Sequence, residues 1–100
     1  MLLYILSMDG FVNVVRPQQS DKTYRCPCCG FKTLHGRSHY EICPVCFWED
    51  DGQDEHDASE VRGGPNQELS LTAARENFKR IGASDERRLK FVRKPLPDEL

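Results

Sequence analysis

The sequence predicts a small α+β domain: a double cysteine knuckle on short antiparallel strands, followed by one or two C-terminal helices. Three observations lead there. Cys26 and Cys29 are separated by two residues, and so are Cys43 and Cys46. Short alternating runs, such as Phe31 to Leu34 and Tyr40 to Ile42, flank the cysteine pairs in the manner of strands. Leu71, Ala74, Phe78 and Ile81 then recur at helical spacing and make one apolar stripe.

Each cysteine pair sits on a turn, because two intervening residues form the shortest link that lets both sulfurs reach one ion. Pro27 and Pro44 set φ at the first turn position. Gly30 permits the positive φ that turns backbone N–H groups toward the sulfurs. Phe47 stands where the second turn would have that glycine. With thirteen residues between the pairs, four thiolates can occupy the corners of a tetrahedron. Zinc favours that arrangement, at sulfur distances of about 2.3 Å. The expected metal site is therefore Cys26, Cys29, Cys43 and Cys46 around one Zn2+ per chain, in a zinc-ribbon-like fold. Iron can also take four thiolates, but zinc is the default in a closed site.

Two other uses of the cysteines compete with metal binding. A disulfide framework leaves one of the five cysteines over, and Met1 to Leu6 lacks the basic start and the length of a secretory signal. A cytoplasmic location with reduced thiols is therefore expected, which favours metal over disulfide. Redox C-x-x-C chemistry is the second alternative, and two such motifs with Cys-Pro turns argue against it. Cys28 is the spare thiol. Lying inside the first turn, it is expected to point away from the metal, as a small apolar filler or as a redox-responsive thiol.

One hundred residues, 38% of them hydrophobic and 30% charged, have little material for a core. A domain of this kind gains only about 3–5 kcal/mol from burial. Structural zinc contributes roughly 10–16 kcal/mol of apparent binding free energy in small peptides, so the cysteine half should depend on its metal. The net charge of −2 gives no global field toward nucleic acid or membrane. No segment approaches the length of a membrane span.

Residues 1–23 read as an N-terminal extension, with Leu2 to Leu6 and Phe11 to Val15 arranged as a hairpin around Asp9-Gly10 and a polar linker after it. The main domain is expected over 24–100, divided into the ribbon at 24–49, an acidic loop at 50–66 and a helical part at 70–94. Tyr24, Phe31, Tyr40, Ile42, Phe47 and Trp48 are expected to crowd around the metal as a small core rather than to stack nucleobases. His35 and His39 are expected on the surface. Glu49 to Glu60 holds seven acidic residues and no basic one, and reads as a solvated loop. Its sharper readings are a surface for a basic partner or weak divalent-cation ligands. It lacks the EF-hand pattern.

The helix from Leu71 to Ile81 is expected to start at a Ser70 cap, with Leu69 as its hydrophobic staple, and to end at Gly82 in the left-handed conformation. Phe78 is expected as its central anchor and Glu76 as the partner of Arg80. Ser84-Asp85-Glu86 starts a shorter turn reaching Val92, with Leu89 and Val92 inward. Between Arg75 and Lys94 eight basic residues face three acidic ones. Contact with the acidic loop explains these as well as a nucleic-acid patch does.

Cys26-Pro27-Cys28-Cys29-Gly30-Phe31-Lys32-Thr33-Leu34 resembles the signature of the bacterial cysteine-rich CPCC family. So do Tyr40 through Gly52, and the Ser70 to Phe78 block with Gly82-Ala83-Ser84. The resemblance runs from about Tyr24 to Leu96. It implies a small bacterial metal-binding protein without implying an activity. No catalytic residues stand out and no organic cofactor is called for. The favoured function is a zinc-stabilised interaction module, with a protein partner favoured over nucleic acid and no membrane. The alternatives are a thiol redox or metal sensor using Cys28, and a small metal-dependent hydrolase using the acidic segment. An enzyme would need a nucleophile and base in contact, or an open metal position.

Overall fold

The computed structural model describes residues 23–100; the hairpin expected around Asp9-Gly10 lies outside them. The described chain is small α+β. Strand β1 (Tyr24–Arg25) pairs antiparallel with β2 (Lys32–Leu34), Tyr24 opposite Leu34 and Arg25 opposite Lys32, with an irregularity in register between Tyr24 and Arg25. The first cysteine turn is the connection between them. The second cysteine turn is closed by a single antiparallel bridge, Ile42 to Glu49. The return run at Tyr40 to Ile42 therefore forms no strand of its own.

Helix α1 (Leu71–Ile81) has the bounds and caps that the sequence predicts. Ser70 Oγ accepts from the Ala73 amide at 3.0 Å, and Gly82 closes the helix at φ 85°. Two expectations for its faces are corrected. Burial centres on Leu71 and Ala74, both 0% exposed, whereas Phe78 is half-buried against Phe31. Arg80 donates to Asn77 Oδ1 at 3.0 Å instead of pairing with Glu76. Burial is shifted toward the N-terminal turn, where Leu71 and Ala74 share the core with the cysteines, Val45 and Trp48.

Phe78→Ala tests that correction. The Phe31–Phe78 rings meet edge to face at 6.4 Å and 74°. Partial burial plus that pair gives an expected loss of about 2 kcal/mol, below the roughly 3–5 of a fully buried phenylalanine. Chemical denaturation of the metal-loaded protein measures it. A loss above that range would restore Phe78 as the central anchor.

Beyond Gly82 the chain forms a 3-10 segment, Glu86–Phe91, capped by Asp85. Leu89 is not turned inward; it is 45% exposed, and Val92 is half-buried. The segment stops at Phe91, with Val92 already extended at its C-cap, so no continuous inward face runs from Leu89 to Val92. A last 3-10 turn, Pro97–Glu99, buries Glu99 completely, with both carboxylate oxygens on the Arg93 guanidinium at 2.9 Å.

The C-terminal half is fastened to the cysteine turns through their backbone carbonyls. Arg75 Nε donates to Pro27 O at 2.8 Å, Ser84 N to Cys46 O at 2.8 Å, Arg88 Nη1 to Phe47 O at 2.9 Å and Arg93 N to Pro44 O at 3.1 Å. The core then gathers Leu34, Val45, Trp48, Leu71 and Ala74 around the cysteines. Tyr24, Tyr40 and Ile42 are 46%, 56% and 43% exposed, and Phe31 and Phe47 are half-buried. Of the six residues expected to shield the site, only Trp48 is fully enclosed.

Candidate metal centre

The two cysteine turns have the same backbone plan. In the first, Cys26 N donates to Phe31 O at 2.9 Å and Gly30 N to Cys26 O at 2.8 Å. In the second, Cys43 N donates to Trp48 O at 3.0 Å and Phe47 N to Cys43 O at 2.7 Å. Both turns need a left-handed residue at the fifth position. Gly30 takes it at φ 84° without cost, and Phe47 takes it at φ 68°. Phe47 offsets that strain by stacking on Phe91, with ring centroids 5.1 Å apart. Where the sequence left the second turn's geometry open, it repeats the first.

The sulfurs of Cys26, Cys29, Cys43 and Cys46 lie within 4.8 Å of one another. Cys26 to Cys46 is 3.6 Å and Cys29 to Cys43 is 3.7 Å. A regular tetrahedron with metal–sulfur bonds of about 2.3 Å has edges of about 3.8 Å. The donor set thus fits one thiophilic ion, and it can hold a metal with all four corners filled by protein. Cys26, Cys43 and Cys46 are buried, Cys29 is partly exposed, and all five cysteines are free thiols.

Polar groups around the sulfurs favour a charged, metal-bound state. Thr33 Oγ1 lies 3.0 Å from Cys43 Sγ, and the amides of Val45 and Trp48 point at Cys43 and Cys46 from 3.4 and 3.5 Å. Without a cation such a cluster resists ionisation. Hydrogen bonding with Cys29 and then Cys43, together with burial, raises the pKa of Cys26, and contacts with Cys26 and Cys28 raise that of Cys46. Cys43 is pushed down, by its hydrogen bonds from Cys26, Cys29 and Cys46 and then from Thr33. One thiolate can form among neutral thiols; four need a cation in their midst.

Cys28 lies outside the group of four. It is buried in the same core cluster as Val45 and the cysteines. His35 is bound to Glu41 at 2.7 Å and exposed, and His39 is also exposed.

The acidic segment differs from the solvated loop that its charge suggests. Asp50 is 0% exposed and receives Arg37 Nε, the Ser38 amide and the Gly52 amide at 2.8, 2.8 and 3.1 Å. Asp57 is buried and paired with Arg62, Glu55 takes Arg75, and Gln53 is fully buried. Asp50 clamps the loop before the second cysteine turn to the loop after it, while Asp57 closes that later loop on itself and Glu55 ties it to α1. These carboxylates do not gather: among the described residues, the four cysteines are the cluster of metal-ligating side chains. No spacing signal in the sequence marks Arg37 as the partner of Asp50, because the pair is made by loop geometry alone.

Arg37 also gives this clamp a pH dependence. It donates to Asp54 at 2.8 Å and, ahead of the Glu55 amide, holds that carboxyl below the 3.8 of the free side chain. A depressed folded-state value means that the stabilisation is complete above the unfolded pKa of 3.8 and is lost as pH falls through the lower folded value. Asp54→Asn is expected to flatten the fall in stability below about pH 4, read by denaturant midpoints at several acidic pH values. An unchanged profile would place the acid sensitivity elsewhere.

A compact cysteine-rich protein with a tetra-cysteine cluster is the class that this fold and site define. Residues 24–99 match the family model described as Cysteine-rich CPCC, and the chain belongs to that family. Neither a curated protein nor a solved structure matches it. Among the described residues no helix is long and apolar enough to cross a membrane.

Proposed function

We propose that Cys26, Cys29, Cys43 and Cys46 hold one zinc ion as a closed structural centre in a zinc-ribbon-like fold, and that the folded unit is an interaction module for a protein partner in the cytoplasm. The observation that carries this reading is the sulfur spacing of 3.6 and 3.7 Å. It suits a four-sulfur ion with no corner left for substrate or water, which is the mark of a structural rather than a catalytic site. Free thiols throughout suit a reducing compartment. Asp50, Asp54, Glu55, Asp57 and Glu60 of the acidic segment are engaged in ion pairs, and its carboxylates form no ligand set among the described residues, which weighs against the hydrolase alternative.

The test is affinity capture with the tagged, metal-loaded protein from its own host. A stoichiometric protein partner, released when a strong chelator unfolds the module, is the expected result. A nucleic acid in its place, or capture unaffected by metal loss, would overturn the reading.

Thiol sensing through Cys28 is the second reading, favoured by its place as a free, buried thiol in the same core cluster as Cys46. Peroxide would oxidise the two thiols to a disulfide and be reduced to water, removing Cys46 from the ion. Slower peroxide-driven metal release in Cys28→Ser supports it, and an unchanged rate removes it.

A further inference from the structure

An apolar groove of about 300 Å3 opens between α1, the Glu86–Phe91 segment and the second cysteine turn. Val45 contributes its floor, Phe78 and Ile81 one wall, and Leu89, Val92 and Pro95 the other. Arg93 and Lys94 stand at it as the charged residues. The volume is at the lower end for ligand-sized pockets, about 300–1,000 Å3. Leu89, at 45% exposed, leaves apolar surface open to water.

The stretch of chain that walls this groove is charged unlike the chain as a whole. From Lys79 to Lys94 there are seven basic residues and two acidic ones, in a protein of net charge −2. Some of these cations are already used: Arg93 by Glu99, and Arg87 by Asp85 and Glu68. Arg88 serves the carbonyls of Phe47 and Pro65. Lys79, Arg80, Lys90 and Lys94 pair with no carboxylate among the described residues.

We propose that the groove receives an apolar side chain carried by an acidic segment of the protein partner, whose carboxylates are met by Lys94 at the groove and by the other unpaired cations of the same stretch of chain. This rests on the interaction-module reading above. An apolar anchor in a pocket, ringed by complementary charge, supplies affinity at the centre and selectivity at the rim. Cations spread over two elements suit several carboxylates along a chain better than one compact anion. A nucleic acid would meet the cations and leave the apolar floor unused. Two occupants from this protein fit less well. The acidic segment of a second copy has Asp50, Glu55 and Asp57 already in ion pairs. Residues 1–22 carry two acidic and two basic residues, and so bring no net complementary charge.

The test uses the zinc-loaded full chain with labelled methyl groups and a short synthetic peptide holding one leucine between pairs of aspartates. Shifts at the methyls of Val45, Ile81, Leu89 and Val92 are expected. The peptide should bind about tenfold more tightly than its lysine-for-aspartate version, and the difference should shrink as salt rises. Alanine in place of the peptide leucine, or Leu89→Glu or Lys94→Glu in the protein, should each weaken binding about tenfold. Both protein positions are exposed, so these variants keep the fold.

Binding away from the groove, or affinity indifferent to peptide charge, overturns the proposal. Self-association abolished by Leu89→Glu overturns it in favour of a second copy. Magnetisation transfer from Leu2 to Leu6 into the groove methyls of the free protein overturns it in favour of the chain's own N-terminal segment. If a captured host partner binds Leu89→Glu undiminished, the groove assignment fails and the interaction module stands. If capture persists in metal-free, unfolded protein, the module reading itself fails.

Discussion

Cys43→Ser is expected to abolish metal binding and to leave most of the chain unfolded. Cys43 is 0% exposed, its sulfur lies 3.0 Å from Thr33 Oγ1 and it accepts from the Val45 amide, so it is the most supported of the four. A three-sulfur site with a buried hydroxyl binds zinc far less well than a tetrathiolate. The apolar core of so small a unit supplies only about 3–5 kcal/mol, against roughly 10–16 for a structural zinc ion. Nothing local makes up the difference. Helix α1 has 11 residues, and isolated helices of fewer than about 12–15 are marginal in water. The strands are too short to persist without their turns. Circular dichroism and bound-metal analysis read both losses together. A Cys43→Ser protein that keeps its metal and its melting temperature would show that Cys43 is not a ligand.

The second large effect belongs to Trp48. It directly follows the left-handed Phe47, is 0% exposed and is the largest of the fully buried side chains. Its backbone returns to Cys43 N at 3.0 Å, so the ring is held at the base of the second turn, and Leu71 and Ala74 of α1 belong to the same core. Trp48→Ala should therefore cost about 3–5 kcal/mol in the metal-loaded protein, measured by denaturant unfolding. Tyr40→Ala is the matched control. Tyr40 lies near the same turn but is 56% exposed, so its loss should stay within about 0.5 kcal/mol. Equal costs for the two would contradict the burial pattern and return both aromatics to a shared shield.

These aromatics also mark where sequence reasoning stops. Cysteine spacing, the Ser70 cap and the Gly82 stop are local signals, and the structure brings the paired cysteines together and runs α1 between those caps. Local signals work there because the turn and the cap each use residues within one or two turns of chain. Which aromatics are buried is decided by distant segments. Arg75, Ser84, Arg88 and Arg93 pull α1 and the C-terminal 3-10 segment onto the turn carbonyls, and this covers Trp48 while leaving Tyr24, Tyr40 and Ile42 outside. The same holds for Asp50 and Arg37, which are joined across loops by 13 residues of separation and carry no periodic pattern. Thr33, which contacts the Cys43 sulfur, reads in the sequence only as one more strand residue. The basic run from Arg75 to Lys94 is ambiguous for a further reason. Some of its side chains, such as that of Arg88, hold the fold through carbonyls, and others, such as that of Lys94, hold nothing among the described residues.

The central claim is that one zinc ion organises this chain through four sulfurs. Elemental analysis combined with X-ray absorption at the metal edge, on protein purified without added metal, tests it most directly. The predicted result is one zinc per chain with a shell of four sulfurs at about 2.3 Å and no nitrogen or oxygen neighbour. Protein without stoichiometric metal that keeps its fold in strong chelator, or a shell containing nitrogen or oxygen, would contradict it.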